Sequence, residues 1–222
     1  MASDKNYATI DDLSNLLLVD VDSTFKAQVE KWISAAEIYA EGFTGFTTVS
    51  GFWNEAITGE LLESRVDGDG NLVIYPRKRP VNSVSKIELW KGSDSMTLSL
   101  TDGANTRYII PAQNNCIIYP NHELTISSSS YSINNFYNIK YSRWYTKVDY
   151  IAGYSTIPKD ITMAVTLIAS DYFMRHANKE GLVSMTQGRI SKRWSERKDG
   201  KSDLVVQAED ILLGYKIASG YF

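Results

Sequence analysis

The sequence predicts an α+β protein in which N-terminal and C-terminal helices form a small helical bundle that carries an inserted antiparallel β module. Apolar residues recur at helical spacing near both ends of the 222-residue chain. The middle of the chain is instead rich in Ser, Thr, Asn, Gly and Tyr, with short β-branched runs between turn signals. Because each helical end needs a partner to bury its apolar face, the two ends are expected to pack together around one core.

Two helices are predicted in the first segment, residues 1–45, at 9–18 and 23–41. Thr9 is a suitable N-cap, and Asp11 and Asp12 follow in the first turn, where acidic side chains favour a helix start. From Phe25 onward the apolar residues follow a 4-3-4-3 spacing, which is typical of an amphipathic helix. Gly42 is expected to end the second helix as its C-cap.

The second segment, residues 46–154, is predicted to be the β module. The Asp67–Asn71 run is typical of a tight hairpin turn. It is similar to a calcium loop only at its start, because Leu72 and Lys78 stand where such a loop needs Gly and Glu. The candidate strands are 57–65, 71–76, 84–90, 95–100, 106–111, 115–119 and a long aromatic pair over 133–151.

The third segment, residues 155–222, is predicted to complete the helical bundle. Pro158 suits the first position of a helix, and the residues after it are apolar nearly all round, which predicts a central, buried helix. Residues 181–201 are expected to form a polar, basic loop. A last helix is predicted from Asp203, capped by Ser202, to about Tyr215.

Composition excludes several classes of protein. A net charge of −3 argues against a chain whose main task is to grip nucleic acid. The single cysteine, Cys116, excludes an internal disulfide and a cysteine-based metal cluster. No secretory signal opens the sequence, and no stretch reaches the roughly 20 apolar residues of a membrane helix, so no membrane partner is expected.

No group of residues predicts catalysis. The two histidines, His122 and His176, lack a second metal ligand at a suitable spacing, so both are interpreted as surface or packing residues. The serine run 127–130 has no neighbouring base, and no phosphate-binding or dinucleotide-binding motif is present. We therefore expect no enzymatic activity, no metal and no cofactor.

Charge is distributed unevenly along the chain. Residues 1–45 contain eight acids against three lysines, whereas residues 181–201 contain six bases against two acids. The same charge distribution would arise if both segments were simply exposed to solvent. The alternative is that the acidic helices of one subunit meet the basic loop of the next, a head-to-tail contact that closes into a ring on repetition. The subunit-interface residues of this hypothesis are Asp11, Asp12, Glu37, Arg189, Lys192 and Arg193.

The aromatic segment 131–150 places aromatic residues on both faces of its strands. Tyr137 and Tyr141 share one face, and Trp144 lies on the other. A half-buried strand normally leaves one face polar, so the second face either packs in the core or meets a partner. The partner-facing interpretation makes Tyr137, Tyr141 and Trp144 a carbohydrate-binding or receptor-binding surface.

Several segments, in order, resemble the head–tail connector (adaptor) proteins of tailed bacteriophages of the long-tailed type. They are Ile10–Leu13, Ala35–Gly45, Arg79–Val84, Tyr150–Tyr154 and Ile157–Ile161. The resemblance covers about half of the chain. Residues 91–145 depart from the resemblance, because this region is longer than the corresponding region that the small connectors need.

The resemblance implies a structural virion protein and no enzyme. Connectors of this type form rings, commonly twelve-fold, below the portal protein at the head–tail interface, after assembly in the host cytoplasm. DNA passes through the lumen without specific binding, and a stopper or tail-completion protein docks on the ring. Tyr221 and Phe222, which follow Gly220, are expected to anchor the subunit in the portal.

Overall fold

Four helices and eleven short strands make up the part of the chain that the structure describes, which confirms the predicted α+β fold class. This computed structural model describes residues 5–21, 23–46, 49–63, 65–91, 94–102, 104–111, 115–120, 145–177, 184–187, 190–193 and 201–216. The chain divides into a helical unit, Met1–Phe52 with Thr156–Phe222, and a β unit, Trp53–Ser155. In the described ranges no helix has both the length and the apolar character needed to cross a membrane.

Helix α1 (Ile10–Leu17) begins with the predicted N-cap. The Thr9 hydroxyl accepts a hydrogen bond from the Asp12 backbone N–H at 3.2 Å, and the Asp12 carboxylate accepts one from the Thr9 N–H at 2.7 Å. This reciprocal capping box satisfies two N–H groups that the first turn leaves without helical partners. The helix ends at Leu18, which adopts the left-handed conformation with φ 53°.

Helix α2 (Lys26–Thr44) has the predicted length but lies three residues further along the chain than the predicted helix 23–41. Gly45 adopts φ 86° and donates its N–H to the Glu41 carbonyl at 2.9 Å, so it is the left-handed C-cap. The prediction that Gly42 ends the helix is wrong, because Gly42 lies inside the last turn. The helix continues past it to Thr44, whose hydroxyl donates to the Ala40 carbonyl.

Helix α3 (Lys159–Ala177) is the centre of the helical unit, as its all-round apolar sequence predicted. Every residue from Ala164 to Asp171 is buried, and α1, α2 and α4 (Asp203–Leu213) all pack against α3. Ser202 caps α4 by accepting a hydrogen bond from the Val205 N–H, as predicted. The helical bundle therefore consists of both ends of the chain.

The predicted basic loop contains a β-hairpin instead. Strands β10 (Ser184–Gln187) and β11 (Ile190–Arg193) pair in antiparallel register, with Met185 opposite Lys192 and Gln187 opposite Ile190. A glycine between two short runs is a hairpin signal, and the polar, basic composition of the segment concealed it.

The β unit is built from antiparallel pairs. Its main sheet has the order β1-β9-β4-β5, and a smaller one has the order β2-β3-β8. The bounds are β1 Glu55–Glu63, β2 Arg65–Val66, β3 Leu72–Ile74, β4 Val81–Lys91, β5 Asp94–Thr97, β6 Thr101–Asp102, β7 Asn105–Thr106, β8 Ile117–Tyr119 and β9 Tyr145–Ala152.

Burial alternates along β9, so that Thr146, Val148, Tyr150 and Ala152 face the core while Tyr145 faces outward. The predicted strand over 106–111 is wrong. Only β7 and a single bridge between Ile109 and Ile118 form in that region. Of the predicted aromatic pair over 133–151, the described residues contain only β9.

Candidate interaction surface

The N-terminal segment is fastened to α2 by a buried polar network around Tyr7. The Tyr7 backbone N–H donates to Glu37 Oε1 at 2.7 Å, and its hydroxyl donates to Glu41 Oε1 at 2.6 Å. The same hydroxyl accepts a hydrogen bond from the Phe52 N–H at 2.9 Å. Lys5 Nζ contacts both oxygens of Glu41, at 2.6 and 2.5 Å. Glu37 and Glu41 lie one turn apart on α2, so a single helix face holds this segment.

Burial raises the pKa of the Tyr7 phenol well above its usual value, and the hydrogen bond to the Glu41 carboxylate raises it further. The phenol is thus held in its neutral form, which can donate to the carboxylate. Gly51 passes directly over this pair with φ 53°. A Cβ on Gly51 would lie 2.0 Å from Glu41 Oε1 and 2.1 Å from the Tyr7 hydroxyl, so any side chain there would displace this hydrogen-bonded pair and be strained at this φ.

Glu37 is 1% exposed, and its carboxylate accepts the Tyr7 N–H inside the helical unit. Its side chain therefore has an internal role, whereas its part in a subunit interface stays a prediction that rests on its charge. Sequence reasoning also missed Tyr7, because no local spacing connects it with Glu37 and Glu41, which lie 30 and 34 positions later.

One of the two predicted acidic residues of α1, Asp11, lines a cleft of about 580 Å³ between α1 and α2. Asp11 is exposed and lines the cleft, whereas Asp12 is partly occupied by the capping box. Lys26, Glu30 and Glu37, all on α2, also line the cleft. Three carboxylates against one ammonium make the cleft acidic, which favours cationic groups.

An apolar corner joins α1 to α2, and we define it as Leu16, Leu18, Val19 and Phe25. Their exposed fractions are 38%, 91%, 43% and 49%. These four exposed apolar side chains lie within ten residues of sequence around the α1–α2 connection, and exposed apolar groups of this kind are candidates for contact with a partner. This corner was not predicted from the sequence, because the same residues fit the apolar face of an amphipathic helix.

His176 is an exposed residue whose ring packs against two aromatic rings, in line with the interpretation of the histidines as surface or packing residues. Its ring lies 5.1 Å from the Trp32 ring and 6.4 Å from the Phe25 ring, at the end of α3. Across the described ranges, no group of three or more His, Cys, Asp or Glu side chains is arranged to hold a metal ion. The Asp67 carboxylate instead accepts the N–H groups of Asp69 and Asn71, as expected for a turn.

The polar groups buried in the β unit also serve internal contacts. The Tyr150 hydroxyl donates to Glu60 Oε2 at 2.6 Å, and burial followed by this bond raises the pKa of Tyr150. Lys78 is 1% exposed and pairs with Glu55 at 2.7 Å. These pairs hold the 76–80 segment against β1 and β9. A buried charge that is paired in this way has a structural role in the fold, and a catalytic role is not needed to explain its burial.

The remaining predicted site residues divide between β11 and undescribed parts of the chain. Lys192 and Arg193 belong to β11. Arg189, the aromatic residues Tyr137, Tyr141 and Trp144, and the tail residues Tyr221 and Phe222 lie outside the described residues. Carbohydrate or receptor binding by the aromatic residues stays a prediction. It is tested by glycan-array binding and its loss on Trp144→Ala.

Comparison with known proteins gives structural similarities only. No protein-family model matches the sequence, and no curated protein matches it. One similar chain belongs to a structure described as the neck of an empty GTA particle computed with C6 symmetry, at 16% identity and a TM-score of 0.42. Another belongs to the virion of a native gene transfer agent (GTA) particle, at 14% identity and a TM-score of 0.46. Each similarity covers 98% of this chain and 93% of the other. Similarities of this size carry no conclusion about function.

Proposed function

We propose that this chain is a structural virion protein, a head–tail connector (adaptor) that forms a ring below the portal of a phage-like particle. The ring extends the DNA channel and provides the platform for a stopper or tail-completion protein. Its partners are other copies of the same chain, which together form a ring of twelve in the virion. The ring also contacts the portal protein and the stopper or tail-completion protein. Such a subunit catalyses no reaction and requires no cofactor.

The observation that carries this proposal is where the connector-like segments lie in the fold. Ile10–Leu13 opens α1, and Ala35–Gly45 closes α2 at its left-handed glycine. Arg79–Val84 leads into the long strand β4. Tyr150–Tyr154 ends β9, and Ile157–Ile161 begins α3. Each segment therefore lies at the boundary of an element, where sequence determines how the chain enters or leaves it.

The glycines of two of these segments have definite backbone roles. Gly45 adopts φ 86° as the cap of α2, and Gly153 adopts φ 112° after β9. A Cβ on Gly153 would lie 2.4 Å from the Trp53 carbonyl oxygen. The backbone conformation at both positions favours glycine. The connector-like segments therefore include residues that determine how α2 ends and how β9 leads into α3.

The charge of the chain suits a channel that DNA traverses. A subunit of net charge −3 makes a twelve-fold ring strongly acidic as a whole. An acidic wall repels phosphates and so does not retain the DNA. Residues 181–201, which contain β10 and β11, have six basic residues against two acidic ones, and we assign this segment to contacts between subunits.

Native mass spectrometry of the purified chain, alone and with the portal protein, tests the proposal. The expected result is a closed ring, or a complex in which several copies are bound to the portal. A chain that stays single in both samples contradicts the proposal.

The tail residues provide a separate test of portal docking. Deleting Gly220–Phe222 should weaken binding to the portal and leave the thermal unfolding of the free chain unchanged, because an aromatic pair gains binding energy mainly in a partner's pocket. If the affinity for the portal is unchanged, the tail does not anchor the subunit, but the proposal of a ring is unaffected.

A further inference from the structure

The main sheet of the β unit carries large side chains on the face directed away from its core. Burial alternates along β9, and Tyr145 and Lys147 belong to that outward face. Because directly paired residues of an antiparallel sheet share a face, Trp90 of β4 lies beside Tyr145. Lys147 likewise lies between Glu88 of β4 and Leu61 of β1. We call these five residues the sheet patch.

The sheet patch combines exposed apolar surface with aromatic rings. Leu61 is 55% exposed and Tyr145 is 39% exposed, while Trp90 is partly buried. Trp and Tyr are enriched among the residues that contribute most to binding at protein interfaces. The solvent face of a half-buried sheet is normally polar, so this composition indicates contact with a partner.

Lys147 lies in the middle of the sheet patch with its ammonium group oriented by the residues around it. Its Nζ is 5.7 Å from the centroid of the Trp90 ring. Its Cε passes over Gly59, where an added Cβ would lie 3.0 Å from it. Among the described residues no carboxylate forms an ion pair with Lys147, and the neighbouring Glu88 carboxylate is paired with Lys86 at 2.5 Å. The N–H donors of the ammonium are therefore available to a partner.

A carboxylate set among apolar side chains is the group that fits the sheet patch. Duplex DNA fits it poorly, because one ammonium beside the Glu88 carboxylate offers no basic surface to a row of phosphates. A sugar ring also fits poorly, because Lys147 already lies over the Trp90 ring on which the sugar would stack. The expected partner is therefore a protein surface that presents a carboxylate.

The chain itself carries carboxylates of this kind. Residues 1–45 contain eight acids against three lysines. Asp11, Asp20 and Glu30 are exposed in this segment, and within the described ranges none of the three forms an ion pair. Since the sheet patch stays exposed in its own chain, the complementary charge comes from a second copy.

We infer that the sheet patch of one copy binds the acidic N-terminal helices of the next copy, with a carboxylate of residues 1–45 on the Lys147 ammonium. Leu61 and the two aromatic rings provide the apolar area around this ion pair. The contact joins two different surfaces of the chain and therefore propagates around a ring. This inference rests on the proposed function and names a surface of its subunit interface.

Carbodiimide cross-linking of the full chain tests the contact, because the reagent joins a lysine amine to a carboxylate within ion-pair distance, about 4 Å. Isotope-labelled and unlabelled chains are mixed, alone and with the portal protein, and cross-linked peptides are identified by mass spectrometry. The expected product is an amide between Lys147 of one copy and an acidic residue of segment 1–45 of another. An assembled ring in which Lys147 gives no product, or products only within one chain or with the portal, overturns the inference.

Substitutions at Lys147 separate its charge from its reactivity. Lys147→Arg keeps the charge and lacks the amine, so this variant should still assemble but give no cross-link. Lys147→Met should weaken self-association roughly ten- to thirtyfold for each contact, as expected for loss of one central interface side chain. Lys159→Met removes the same charge from an exposed position at the start of α3 and should leave association unchanged. Equal association of the two Met variants overturns the inference.

Leu61→Ser tests the apolar part of the patch at a side chain that is mostly exposed. The thermal unfolding of the free chain should be unchanged, whereas self-association should weaken several-fold. The matched control is Ile109→Ser, which is 54% exposed in the β unit outside the main sheet and should associate normally. Unchanged association of Leu61→Ser contradicts the inference.

The two proposals fail differently. If the unmodified chain assembles but Lys147 gives no cross-link between copies, the sheet-patch contact is wrong and the ring remains. If the free chain binds duplex DNA and loses that binding on Lys147→Met, the patch contacts DNA and the inference is wrong. If the unmodified chain stays single with and without the portal, both proposals are wrong.

Discussion

Replacing Gly51 by alanine should destabilise the helical unit strongly. The added Cβ would lie 2.0 Å from Glu41 Oε1 and 2.1 Å from the Tyr7 hydroxyl, well inside van der Waals contact. Because Gly51 also has φ 53°, the alanine is strained even before it meets its neighbours. The substitution therefore acts on the network that fastens the N-terminal segment to α2.

The magnitude follows from these two effects. An alanine in the left-handed region costs about 1–2 kcal/mol. Displacing the buried bond between the Tyr7 hydroxyl and the Glu41 carboxylate costs roughly a further 1.5–3 kcal/mol, because one partner is charged. The free energy of unfolding should fall by about 2.5–5 kcal/mol, a large part of the stability of an ordinary domain.

Urea denaturation followed by far-UV circular dichroism measures this change, with Gly42→Ala as the matched control. Gly42 is exposed inside α2, and a Cβ there would have no neighbour within 4 Å. Alanine should therefore raise stability at this position by about 0.5–1 kcal/mol. A Gly51→Ala variant within about 1 kcal/mol of the unmodified chain would refute the assigned network.

Three further predictions concern the fold. Tyr7→Phe should lower the free energy of unfolding by about 1–3 kcal/mol, since Glu41 loses a buried donor. Because the pKa of Tyr7 is raised above 10 in the folded state, its contribution is complete below pH 10 and is lost as the pH rises beyond that value. Alkaline denaturation curves should therefore be shallower for Tyr7→Phe, and equal slopes would contradict the burial of the phenol. Gly153→Ala should unfold the β unit at lower urea, because its Cβ would lie 2.4 Å from the Trp53 carbonyl oxygen, and an unchanged midpoint would be evidence against that approach. Thr9→Ala should cost about 0.5–2 kcal/mol by removing the α1 cap, as measured by thermal unfolding, whereas no change would show that the capping box contributes nothing.

The parts of the fold that sequence predicted well are those fixed by local chemistry. Pro158 and an apolar sequence predicted α3 and its burial, and Thr9 and Ser202 predicted two helix starts. Each of these signals acts within one or two turns. The end of α2 was predicted less well, because Gly42 and Gly45 are both plausible caps and only the path of the following chain decides between them.

The candidate surface was predicted only in part, because charge can be read from a sequence and burial cannot. Glu37 and Asp11 look alike in the acidic N-terminal segment, yet Glu37 is 1% exposed and Asp11 is exposed. The partner that buries Glu37 is Tyr7, which lies 30 positions away. The exposure of Leu18 likewise depends on how α1 and α2 meet.

Negative-stain electron microscopy of the purified full chain, alone and mixed with the portal protein, tests the central claim most directly. The account predicts rings with a central channel, either in the free sample or stacked on the portal, with twelve-fold symmetry in averaged images of the portal complex. Isolated particles in the first sample, together with portal particles that carry no added density in the second, would contradict it.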